Sequence, residues 1–89
     1  MKMDMKAFGA RLREQRMQAG ISQDALTRQT GIIQRDLSRL ERGEKPALWA
    51  DTLLRLAEAL QVSVDYLLGL SDDPRPPKRP RPRTAQPVG

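Results

Sequence analysis

Apolar residues recur three and four positions apart along most of the first seventy residues, the spacing of one face of a helix. Met5, Phe8, Leu12 and Ala19 line one side of a first helix predicted over about residues 4–19, and Gly20 ends it. Ser22 caps a second, with Asp24 in its first turn and Leu26 inside, running to about Thr30 before Gly31. A third is predicted from about Gln34 to Arg42, with Leu37 and Leu40 inward and Gly43 after it. A fourth begins between Ala47 and Thr52 and carries the stripe Trp49, Leu53, Leu56, Ala57 and Leu60. Ser63 caps a short fifth ending near Leu68, where Val62 can staple against Leu67. No stretch alternates with the period of a strand, and the dominant Leu, Ala, Arg, Gln and Glu are good helix formers. The chain reads as all-α: one domain over residues 1–70, then a disordered tail over 71–89.

Composition sharpens this. Six of the seven prolines fall in residues 74–89, a segment too polar to bury a core and expected to sample extended polyproline conformations. The chain has no cysteine and no histidine, which removes disulfides, thiolate metal sites and the commonest general base. No metal, no cofactor and no enzymatic activity is expected. No apolar run approaches the ~18 residues of a membrane span. The N-terminus lacks the pattern of a secretory signal, so a cytoplasmic, nucleoid-associated protein is expected.

Charge divides the chain more than its net +5 suggests. Residues 1–45 hold ten basic and six acidic residues; residues 46–73 hold Arg55 alone against five acids. The tail adds Arg75, Lys78, Arg79, Arg81 and Arg83 and no acid. One basic and one acidic half suit a polyanion held on one side. The tail fits a solubilising end, a nonspecific DNA arm or, less well, a ligand for SH3-like domains.

The segment from Gly20 to Gly43 holds two short helices joined by Thr30-Gly31-Ile32, which matches a helix-turn-helix unit. Its second helix turns Gln34, Arg35, Ser38, Arg39 and Arg42 outward. Gln and Arg are the side chains best suited to bidentate bonding with adenine and guanine edges in the major groove.

Gly20-Ile21-Ser22-Gln23, Leu26, Thr30-Gly31-Ile32, the run Leu37–Gly43 and the run Leu56–Gly69 together resemble the Cro/C1-type helix-turn-helix family, also called XRE, over about residues 6–70. The resemblance implies a compact five-helix, lambda-repressor-like domain with the third helix as recognition helix. It implies base reading by Gln34, Arg35 and Arg39, with Ile33 able to meet a thymine methyl. Phosphate contacts fall to Ser22, Gln23, Ser38, Arg42 and Lys45, and a partly buried ion pair to Arg16 and Glu41. Three positions depart from the family pattern. Ile33 stands where Ser or Thr is usual and forfeits a cap worth ~1 kcal/mol. Gln15 stands where leucine is preferred. The loop Gly43–Trp49 does not keep the usual spacing to the fourth helix.

A sequence-specific regulator, most often a repressor, is expected, bound to double-stranded DNA as a homodimer. Tyr66, Leu67, Leu68, Leu70 and Trp49 are the candidate dimer surface. Eighty-nine residues leave no room for a sensor domain, so control would come from abundance, proteolysis or a partner protein. The alternative is an antitoxin-like module whose acidic half binds such a partner.

Overall fold

The computed structural model describes residues 3–76. It contains α1 (Met5–Gln18), α2 (Gln23–Thr30), α3 (Gln34–Glu41), α4 (Ala50–Leu60) and α5 (Val64–Leu68), with no strand among the described residues. Each helix lies within a few residues of its expected position. Asp4 and Ser22 accept from the N–H groups of Ala7 and Ala25, each at 3.0 Å, and Ser63 accepts from Tyr66 N–H at 3.2 Å. Helices α3 and α4 start on Ile33 and Trp49, neither of which supplies a side-chain cap. The turn between α2 and α3 passes through Gly31 at φ +77°, a left-handed conformation in which glycine carries no Cβ penalty. The end of α4 was not marked by glycine. Gln61 takes the left-handed position there at φ +57°, and its Nε2 donates to the Glu58 carbonyl at 2.8 Å.

The core draws on every helix: Phe8, Leu12, Leu26, Leu37, Leu40, Leu56 and Leu67 are fully buried. Burial of such a side chain stabilises by ~1.5–3 kcal/mol. Val62 joins them, and Gln15 is buried where the family prefers leucine. Two expected core positions are not inside. Ala19 caps the exposed end of α1, and Trp49 precedes α4, clear of its buried face.

Gly9 determines how α1 lies on α3. A Cβ built there would run into the Leu40 carbonyl oxygen and sit 2.7 Å from that of Glu41. The two helices thus cross backbone to backbone at the C-terminal end of α3. After α5 the chain doubles back, and Ser63 N–H donates to the Pro74 carbonyl at 2.8 Å. Asp73 accepts from Arg75 through backbone and guanidinium, which holds its carboxyl down at about 2. The described chain therefore runs on past residue 70 to Pro76. Most of the tail expected to be disordered, residues 77–89, lies outside the described residues.

Candidate nucleic-acid interface

The helix-turn-helix unit is held from behind by a polar network. Arg16 donates from Nε to Glu41 Oε2 at 2.6 Å and from Nη2 to Oε1 at 3.1 Å. Its Nη1 donates to the Ile21 carbonyl at 2.9 Å. The Glu41 side chain is 2% exposed and that of Arg16 12%, so the pair is nearly out of water. The hydrogen bond to Glu41 raises the Arg16 pKa above its ordinary value, against the opposing effect of burial. Such a pair ties α1 to the end of α3 with two parallel bonds.

Gln23 belongs to this network, which its sequence position did not reveal. Its Nε2 donates to Glu41 Oε1 at 3.1 Å, fixing the first turn of α2 against α3. Its carboxamide oxygen stays outside that bond. Ser22, beside it, is exposed; its oxygen caps α2, leaving the hydroxyl proton to donate. The turn has its own fastening: Thr30 Oγ1 donates to the Leu26 carbonyl at 2.8 Å and accepts from Ile32 N–H at 3.3 Å.

The outward face of α3 is open. Gln34 and Arg35 are exposed, Arg39 is half-exposed, and Ile33 is 57% exposed at the helix start. Among the described residues Arg35 and Arg39 take part in no ion pair. Each of the four expected base-reading residues is therefore accessible. Other cations expected at phosphates are engaged. Arg42 donates from Nε and Nη2 to Glu44, both at 3.0 Å, and from Nη1 to Ser38. These bonds raise the Arg42 pKa and lower that of Glu44. Lys45 stands 3.5 Å from Asp36. Asp36 lies to the side of α3 and carries its own counter-charge.

The candidate dimer residues separate. Leu67 has no exposed surface and belongs to the core, because the short α5 needs one residue turned fully inward to stay docked; it is withdrawn from the surface. Tyr66 and Leu68 are half-buried and Leu70 is 66% exposed, so an apolar patch does remain around α5. Trp49 is 82% exposed but lines a cleft with Ile32, Asp36 and Lys45, which lies along α3 rather than α5. Among the described residues no helix is long and apolar enough to cross a membrane, and no cluster of acids forms a metal site.

Comparison with known proteins agrees with this geometry. A family model described as a helix-turn-helix domain matches residues 7–76. The HTH-type transcriptional regulator ImmR of Bacillus subtilis (strain 168) is 40% identical over 63 residues, 71% of this chain and 49% of that protein. The uncharacterized HTH-type transcriptional regulator YobD of the same organism is 40% identical over 67 residues, 74% of this chain and 58% of that protein. The chain thus spans about half the length of these curated relatives. Among solved structures, the restriction-modification controller protein C.AhdI of Aeromonas hydrophila superposes with a TM-score of 0.68 at 34% identity, over 72% of this chain and 96% of that one. The P22 c2 repressor, in complex with a synthetic operator, does so with a TM-score of 0.65 at 38% identity, over 72% and 96%. With the motif, the five-helix frame and these relatives in agreement, the chain belongs to the helix-turn-helix domain family, in its Cro/C1-type (XRE) branch.

Proposed function

We propose that the chain is a sequence-specific DNA-binding transcriptional regulator, a repressor, that places α3 in the major groove. The observation that carries this is the open face of α3, where Gln34 is exposed and Arg35 and Arg39 make no ion pair among the described residues, on a helix braced from behind. The named activity of its relatives supports the same reading: ImmR and YobD are transcriptional regulators, and the P22 c2 repressor is bound to an operator. Ser22, the free oxygen of Gln23, Ser38, Arg42 and Lys45 flank that face as phosphate contacts.

One recognition helix reads only a few base pairs, which is too little to select a site in a genome. Proteins with this motif meet that need as twofold dimers on half-sites ~34 Å apart. The apolar patch of Tyr66, Leu68 and Leu70 is the proposed contact, and the operator an imperfect palindrome. Arg39→Ala should cost ~1–3 kcal/mol at a selected duplex and relax the preference at one base position. The same mutant binding selected and scrambled duplexes with an unchanged ratio would remove Arg39 from base reading. Sedimentation of the complex should give two protomers per site.

A further inference from the structure

Trp49 is the only tryptophan in the chain and one of three aromatic residues, yet 82% of it faces water. A side chain of this size is ordinarily buried, or kept at a surface that another molecule covers. It stands in the loop that departs from the family spacing, at the N-cap of α4, where it contributes no side-chain cap. Ile32, Asp36, Lys45, Leu48, Trp49 and Thr52 line one cleft of about 150 Å³ between the start of α4 and α3.

That cleft has a definite position relative to the reading edge. Successive helical residues turn by about 100°, so around the inward-facing Leu37 the residues Asp36 and Leu40 lie to one side, Ser38 and Glu41 to the other. The start of α2 is attached on the Glu41 side, through Gln23. Trp49 and Lys45 are attached on the Asp36 side. The exposed edge with Arg35 and Arg39 is therefore bracketed by Ser22 and Gln23 on one flank and by Lys45 and Trp49 on the other. A major groove about 12 Å wide is likewise bracketed by two phosphate backbones.

We infer that Trp49 contacts DNA, its indole packing on a deoxyribose of the strand flanking α3 and its ring N–H facing a phosphate oxygen. This rests on the DNA-binding reading above. The chemistry fits: the indole offers a flat apolar surface for the sugar and a single donor for the phosphate. Lys45 is paired with Asp36 in this cleft, so its charge decides nothing; continuity with the reading edge favours DNA over a second copy of the chain. The patch left for a second copy, around Leu70, lies just after α5.

Because Trp49 is the only tryptophan, its fluorescence reports on this contact alone. A labelled 30-base-pair duplex, selected from a random pool by the full chain, is titrated while anisotropy follows binding and acrylamide quenching follows Trp49. Quenching should fall several-fold as the complex forms. Trp49→Ala should weaken binding about tenfold, as loss of a buried aromatic anchor does. It should leave base preference and the salt slope unchanged, since an indole neutralises no phosphate. Trp49→Phe should restore most of the affinity, and neither variant should lower the melting temperature. A complex seen by anisotropy in which Trp49 stays equally quenchable overturns the inference and leaves the DNA-binding reading standing. Shielding that follows protein concentration without DNA also overturns it, in favour of a second copy. If no duplex binds by anisotropy, the DNA-binding reading itself fails and this inference with it.

Discussion

Two arginine–glutamate pairs meet at the C-terminal end of α3, and they differ most sharply in their exposure to water. On the inner side Arg16 and Glu41 are nearly excluded from solvent, bonded twice to each other and once each to Ile21 and Gln23. On the outer side Arg42 and Glu44 are also bonded twice, with side chains 55% and 51% exposed. The inner pair lost its hydration when the chain folded, and nothing outside can replace either partner. On the proposed reading the outer pair exchanges a carboxylate for a phosphate at little cost, because water already screens it. One end of one helix therefore carries a structural lock and an exchangeable contact side by side.

The sharpest break of this contrast is to remove one partner of the lock. Taking away one member of a buried pair can cost ~3–5 kcal/mol, because the other charge is left desolvated and alone. Glu41→Ala strands Arg16 and unties Gln23 as well. In a domain of this size ~3 kcal/mol lowers the melting temperature by roughly 12–24 °C. Glu14→Ala, on the exposed face of α1, should change it by a few degrees at most. Equal shifts in thermal melts of the two variants would place the inner pair in solvent and end the comparison.

Much of this architecture was legible beforehand, and the exceptions share a cause. Helix ends were readable because glycines and Ser or Asp caps act locally, within a few residues of where they stand. The Arg16–Glu41 pair was readable only through the family resemblance, since the two residues are twenty-five positions apart. Gln23 appeared as a phosphate ligand, and nothing in the order of residues tells that one of its donors faces Glu41. Trp49 read as part of an apolar stripe because periodicity continues past the true start of α4, where no cap marks the boundary. Position alone makes Leu67 a candidate for the dimer surface, yet it fills the core. A glycine within a helix looks like a weak residue until its neighbour is known, and the neighbour of Gly9 is the backbone of α3.

Gly9 gives the next test, on the packing that lets the inner pair close. In an exposed helix, glycine to alanine gains ~0.5–1 kcal/mol from propensity alone. Here the added methyl meets two backbone carbonyls, of Leu40 and Glu41, which cannot rotate away. Gly9→Ala should instead destabilise by ~2–3 kcal/mol, the cost of overpacking a tight contact. Chemical denaturation would read the sign directly. A stabilised variant would mean that α1 and α3 do not approach at this point, and that the Arg16–Glu41 bonds are looser than 2.6 Å implies.

The smallest effect falls on the outer pair, where the contrast predicts opposite signs for stability and binding. Glu44→Gln removes the charge that holds Arg42 but leaves an isosteric side chain. Its effect on stability should stay within ~0.5 kcal/mol, as for most exposed ion pairs. Its effect on DNA should be a gain of roughly two- to fivefold at low salt, since Arg42 no longer gives up a partner to meet a phosphate, and the gain should shrink as salt screens the interaction. Part of any gain comes simply from deleting a negative charge near the polyanion. A double-mutant cycle with Arg42→Ala separates the two: the general field contribution survives without Arg42, and the exchange contribution does not. If Glu44→Gln gains as much in the Arg42→Ala background, Arg42 makes no phosphate contact. If it weakens binding, Glu44 orients Arg42 for the DNA rather than competing with it, and the outer pair is a lock of the same kind as the inner one.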